Sequence, residues 1–207
     1  MNKKRQSIIY KNIYIYRIMM YLYTYGKYFK DYHDIFSLIP SNSKKVIELC
    51  FGDIYLANLC KQDNIAWTGY DISDYFVEHA LNKNFNAFKA NLHEYKIKED
   101  CDAIIISRSL YQFKYILDDF FNDLLNCSNT IIICESLKSF GNSKKRFSRM
   151  LAKYLTHSGD AKHVFRYNEK SILNDMDHLC SKFKLNVKRK IIANDRRQNI
   201  FLLLQKK

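Results

Sequence analysis

Residues 44–73, KKVIELCFGDIYLANLCKQDNIAWTGYDIS, constrain the fold more than any other stretch. Val46-Ile47-Glu48-Leu49 is a short apolar run with polar flanks, the pattern of a buried strand. Cys50-Phe51-Gly52-Asp53 then makes a small-residue turn, and Ile54, Leu56, Ala57, Leu59 and Cys60 follow at helical spacing. A second short strand, Ala66 to Tyr70, ends in Asp71. Strand, tight turn, helix, strand and then an acid about 20 residues past the turn is the βαβ arrangement of an adenosine-binding fold. Gly52 lets the backbone approach a ligand closely, and an acid at the end of the second strand can accept ribose hydroxyls.

The rest of the chain repeats the alternation. Ser73 is placed to cap a helix running to about Lys83, and Asn86 to Lys89 reads as a third strand. Cys101-Asp102-Ala103-Ile104-Ile105-Ile106-Ser107 carries the strongest buried-strand signal, and Leu117 to Leu125 is helical. Thr130 to Cys134 forms a fifth strand ending at Glu135. Lys144 to Leu155 reads as a basic helix, at the pocket rim or on a solvated face, and Asn168 to Leu179 as another helix. Leu185 to Ile192 and Asn199 to Leu204 are two strands joined by Asn194-Asp195-Arg196-Arg197. Ahead of all these, Ser7 to Leu38 reads as two helices hinged near Gly26. Tyr10, Tyr14, Arg17 and Tyr21 fall on one face of the first, and Tyr16, Met20 and Tyr23 on another.

At 207 residues this predicts a single domain, residues 1–40 being an N-terminal helical cap and 44–207 the α/β core. The 5 Gly and 1 Pro argue against long structureless linkers. A net charge of +13 favours anionic partners, but the basic residues are dispersed, which fits an anionic small molecule better than a nucleic-acid groove. The six Cys form no CxxC pair and no zinc spacing, so they read as reduced thiols of a cytoplasmic protein. Lys11 and Arg17 interrupt the only apolar stretch near the start, which argues against a signal peptide, a membrane span or any membrane association.

Glu48-Leu49-Cys50-Phe51-Gly52 followed by Gly69-Tyr70-Asp71-Ile72-Ser73 resembles the first two motifs of the class I S-adenosylmethionine-dependent methyltransferases. Of the three glycines in that family's loop, only the middle one stands here; the others are Cys50 and Ile54, and Ile54 is expected to resist a left-handed conformation. The resemblance covers residues 44 to 135 by motif and the remainder by strand order. It implies a doubly wound, Rossmann-like seven-stranded sheet with an antiparallel last strand and an N-terminal helical lid.

It also implies S-adenosylmethionine as cofactor, held by Glu48, Cys50, Phe51, Gly52, Asp71, Ile72, Asn91, Leu92 and Ser107. His93, Arg108 and Tyr111, near the ends of the third and fourth strands, are the candidate catalytic residues, with His163 a further candidate. Arg108 could hold a carboxylate or enolate oxygen. Tyr14, Tyr21 and Tyr25 on the first helix, with Arg108 and Tyr111, are the candidate substrate contacts. The expected reaction is methyl transfer to oxygen or nitrogen of a small molecule, by a monomer or homodimer and without a metal. No Asp-Pro-Pro-type sequence follows the fourth strand, since Pro40 is the only proline, which weakens a nucleobase amino-methylating reading. The alternatives are an RNA-binding or RNA-methylating protein, a nicotinamide-dependent oxidoreductase, and a catalytically inert scaffold of the same fold.

Overall fold

A computed structural model describes residues 12–137, 165–192 and 198–207. The expectations for Tyr10, the Lys144–Leu155 helix, His163 and the 194–197 turn lie outside these residues. Seven strands form one sheet: β1 (Lys45–Leu49), β2 (Ala66–Asp71), β3 (Asn86–Lys89), β4 (Ala103–Ser107), β5 (Thr130–Ser136), β6 (Leu185–Ile192) and β7 (Asn199–Lys206). Their order is β3-β2-β1-β4-β5-β7-β6. The first five strands are parallel, and β7 lies antiparallel between β5 and β6. The sheet is the doubly wound one expected, closing hairpin included.

Period-two alternation sorts the strand side chains between two cores. Ile47, Leu49, Ile104, Ile106, Ile131 and Ile133 face the core built by a 3₁₀ stretch (Leu110–Ile116) and helices α5 (Leu117–Leu125) and α6 (Glu169–Phe183). Val46, Ala103, Ile105, Ile132 and Cys134 face the other, built by α2 (Tyr28–Phe36), α3 (Tyr55–Gln62) and α4 (Asp74–Leu81). Ala103 to Ile106 are wholly buried, as the unbroken apolar run required. Each such isoleucine contributes about 1.5–3 kcal/mol by leaving water.

Two features position the site. The chain leaves β1 toward β2 and β3, then returns to place β4 on β1's other side, so a crevice opens between the carboxyl ends of β1 and β4. Helix α1 (Ile13–Tyr23) crosses that edge. Asn12 caps it by accepting from the Tyr14 and Ile15 amides at 2.9 and 3.2 Å. The chain then turns through Tyr25 and Gly26, both at positive φ, into α2. The hinge expected near Gly26 is therefore present.

Candidate functional site at the carboxyl edge of the sheet

Register brings the motif residues level. Leu49 is opposite both Tyr70 and Ile106, and Ser107 is opposite Cys134, so Cys50, Asp71, Arg108 and Glu135 all emerge along one edge. The turn after β1 is held by the acid after β2. Asp71 accepts the Gly52 amide at 3.0 Å through Oδ2 and the Ser73 amide at 2.8 Å through Oδ1. Burial pushes its pKa up to about 6, opposed by those same backbone donors. Each carboxylate oxygen keeps a free lone pair for a further donor.

The strain of the turn sits at Cys50, not at Ile54. Cys50 has φ 53° and Gly52 φ 57°, whereas Ile54 has φ −82° and packs in the core. Ile54 begins α3 in an ordinary conformation, so the third glycine position needs no glycine here. Gly69 has a different reason to be glycine. Trp67, two residues earlier on the same face, lies over it and would meet a Cβ at 2.2 Å. From there the Trp67 indole donates to Glu48 Oε2 at 2.9 Å and packs edge-on against Phe51. Burial raises the Glu48 carboxyl far above the usual carboxylate range.

Helix α1 is latched onto this turn. Arg17 forms a fork onto Asp53, with Nε and Nη2 each 2.8 Å from a carboxylate oxygen, and Tyr28 adds its hydroxyl at 3.2 Å. Tyr16 packs against Phe76 and brings its hydroxyl to 2.6 Å from where a Cβ on Gly52 would stand. The Tyr75 hydroxyl accepts the Ile13 amide at 2.9 Å. The inward face of α1 is thus Ile13, Tyr16, Arg17 and Tyr23. Tyr14, Tyr21 and Tyr25, the expected substrate contacts, are on the outer side, 71%, 47% and 50% exposed. Both faces are aromatic, so hydrophobic periodicity had no contrast to work with.

Other expected residues are redistributed as well. Arg108, left-handed at φ 54°, donates to Asp31 Oδ2 at 2.5 Å and lies 5.7 and 5.8 Å from the ring centres of Tyr28 and Tyr32. Asn199 donates to the same oxygen at 2.8 Å. Arg108 is thus paired with a buried aspartate through Nη2, while its Nε is without a partner among the described residues. Phe51 and Leu92 are buried in the two cores. His93 is exposed and stacks on Phe113 at 5.1 Å, while Asn91 Oδ1 accepts the His93 amide at 3.2 Å to close a turn. Ile72 and Ser107 remain half-buried at the edge. Tyr111 stays at the β4–β5 end, under the Arg166 guanidinium, which lies 3.7 Å from its ring centre.

Several buried polar atoms along this edge have no hydrogen-bond partner: Glu48 Oε1, Ser73 Oγ, Arg108 Nε and Glu135 Oε2. Unpaired buried polar groups are costly and mark places where a ligand can complete the bonding. Among the described residues no group of His, Cys, Asp and Glu is arranged to hold a metal ion.

No family model matches the sequence, and no curated protein sequence matches it. Solved structures do match the fold. The methyltransferase domain of a bacterial Hen1 protein superposes with TM-score 0.63 at 18% identity, covering 85% of this chain and 97% of that one. Magnesium protoporphyrin IX methyltransferase from Synechocystis, with bound S-adenosylhomocysteine, gives 0.61 at 13%, covering 86% and 84%. A protein from Rhodobacter sphaeroides named as a zinc-dependent alcohol dehydrogenase gives 0.61 at 11%, covering 86% and 90%. The fold is that of the class I methyltransferases.

The sequence did not single out Tyr16, Arg17–Asp53, Asp31 or Glu135 as parts of the site. Arg17 and Asp53 are 36 residues apart, and only the tertiary crossing of α1 joins them. The one local hint was Asp53 itself, an acid next to the turn glycine with no polar partner nearby in sequence.

Proposed function

We propose that the protein is an S-adenosylmethionine-dependent methyltransferase that methylates oxygen or nitrogen of a small molecule. The observation that carries this reading is the Gly52 amide held by Asp71 at the sheet's switch point, beside buried polar atoms without partners. The residues fit such a cofactor. Asp71 has lone pairs left for ribose hydroxyls, Gly52 offers an approach without a Cβ, and Ile72 is half-buried beside them, a surface for the adenine. When bound, the cofactor supplies an electrophilic methyl group on a cationic sulfur. The chain's own part is to orient the acceptor and exclude water, and alignment alone can supply about 7–11 kcal/mol. Helix α1 is placed to close the site, with Tyr16 and Tyr23 turned to the strand ends and Arg17 as its fastening.

A nicotinamide reading is less well supported, because a pyrophosphate needs several close backbone approaches and this turn offers one glycine. The positive charge suits solubility or an anionic molecule in solution more than a nucleic acid, since it is dispersed. Six unbridged cysteines agree with a cytoplasmic setting, and no described helix is long and apolar enough to cross a membrane.

Calorimetry tests the reading. The protein should bind S-adenosylhomocysteine and not NAD, and Asp71→Ala should weaken that binding at least tenfold, a loss of roughly 1.5–3 kcal/mol for a hydrogen-bonded charged group. NAD binding without a response to S-adenosylhomocysteine would end it. A nanomolar complex with a defined RNA near physiological salt would promote the RNA-methylating alternative.

A further inference from the structure

The other end of the edge holds a side chain not yet given a role. Strand β5 runs two residues past the end of β4: Ser107 is the last residue paired to it, at Cys134, while Glu135 and Ser136 pair in the sheet with Ile200 and Asn199 of β7. By alternation Glu135 faces the same side as Ile131 and Ile133, toward Tyr111. It is 3% exposed. Its Oε1 accepts the Ser136 amide at 3.1 Å, and its Oε2 has no partner. The titratable groups facing it are Tyr23 from α1, Tyr111 from the 3₁₀ stretch, Arg108 after β4, and Arg166 and Tyr167 ahead of α6. Of the two cations, Arg108 is neutralised by Asp31, and Arg166 lies flat on Tyr111.

We infer that Glu135 is the proton acceptor of the acceptor subsite, and that this subsite takes a neutral aromatic molecule bearing a hydroxyl group. The inference rests on the methyltransferase reading above and specifies its substrate class. Oε2 is a buried oxygen whose bonding an O–H donor would complete, which favours a hydroxyl over an anion. Tyr111 and Tyr23 flank Glu135, with one face of the Tyr111 ring covered by Arg166. In the step, a lone pair of the acceptor oxygen takes the methyl group, the C–S bonding pair stays on sulfur, the O–H pair stays on oxygen, and the proton passes to Glu135 Oε2. The carboxyl then returns that proton to solvent. Burial holds its pKa up at about 7, opposed by the backbone bond from Ser136, the charge of Arg166 and the nearby Tyr111 amide, so both forms are accessible near neutrality.

The test uses the full chain saturated with S-adenosylhomocysteine and two probes, phenol and anisole, which differ in the O–H donor. Ligand-observed NMR should show phenol binding, anisole binding at least tenfold more weakly, and Glu135→Leu losing phenol by a similar factor. Glu135→Gln keeps an acceptor oxygen, so it should still bind phenol within a few-fold of the parent. With S-adenosylmethionine it should methylate phenol about a hundredfold more slowly and lose the rate's fall toward acid pH. Equal binding of phenol and anisole, or an unchanged rate and pH profile in Glu135→Gln, overturns the inference while leaving the cofactor reading standing. Failure of the parent to bind S-adenosylhomocysteine takes down both. Preferential binding of benzoate would assign the subsite to Arg166 instead and overturn the inference.

Discussion

The two ends of the sheet edge differ in how their buried acids are met, although Glu48 beneath the β1 turn, like Glu135, keeps one oxygen unbonded. Near β1 and β2, charge is met: Asp71 by two main-chain amides, Asp53 by Arg17 and Tyr28. At the end of β5, Glu135 keeps one oxygen unbonded. A third cluster, Arg108 with Asp31 and Asn199, lies between them and ties α2 and β7 to the end of β4. The first end is built to hold its shape, as a cofactor used in every turnover requires. The second leaves bonding capacity open, as a site that binds, reacts and releases requires. Both ends keep acceptor capacity for a ligand, as free lone pairs on Asp71 and as an unbonded oxygen on Glu135.

The largest expected effect tests whether the middle cluster is structural. Arg108→Met removes the charged partner of the fully buried Asp31, and breaking a buried pair from one side costs about 3–5 kcal/mol. For a chain of this size that corresponds to a melting temperature lower by about 10 °C. Introducing Asp31→Leu alongside should recover part of the loss. If Arg108→Met melts like the parent yet fails to turn over, Arg108 belongs with the acceptor site after all, and the division drawn here moves by one residue.

The next effect is the pH dependence that separates the two acids. Both have folded pKa values above their ordinary ones, about 6 for Asp71 and about 7 for Glu135. The folded protein therefore keeps protons that the unfolded chain gives up. The stability they contribute is complete below their ordinary carboxyl pKa values and is lost as pH rises to about 7. Glu135→Gln should flatten the fall in stability between about pH 4.5 and 7, removing on the order of 3 kcal/mol of it at about 1.4 kcal/mol per pKa unit. Denaturant unfolding across that window measures it. An unchanged slope would mean that Glu135 is already met by a partner, and the contrast between the two ends would disappear.

How legible each end was in the sequence follows from the distances involved. The β1 turn and Asp71 lie within 19 residues and share one βαβ unit, so run length, turn composition and one acid were enough to read them. The strands were also readable from apolar runs such as 103–107 and 130–134, while their order in the sheet came only with the family resemblance. The β5 end assembles Tyr23, Tyr111, Glu135 and Arg166 from four separate parts of the chain, and no local pattern joins them. Helix α1 failed for a third reason. Its Tyr and Met residues occur on every face, so the stripe that faces inward cannot be told from the one that faces water.

The smallest effect concerns the glycine turn and is the sharpest check on its conformation. The left-handed φ of 53° at Cys50 is a conformation that side-chain-bearing residues reach at a cost of roughly 1–2 kcal/mol and glycine reaches freely. Its amide is fixed by the Tyr70 carbonyl at 2.7 Å, so the turn cannot relax without losing a strand-end hydrogen bond. Cys50→Gly removes that strain but gives the unfolded chain more freedom, which takes back part of the gain. A net stabilisation of about 0.5–1 kcal/mol should remain, read as a rise of a few degrees in melting temperature. Ile54→Gly, at the position where the family's third glycine would fall, should do the reverse. It starts α3 at φ −82° and is 4% exposed, so the substitution removes a buried side chain and relieves nothing, at a cost of about 2–5 kcal/mol. If Ile54→Gly were the stabilising change and Cys50→Gly the damaging one, the turn would have the family's glycine geometry and not the one described here.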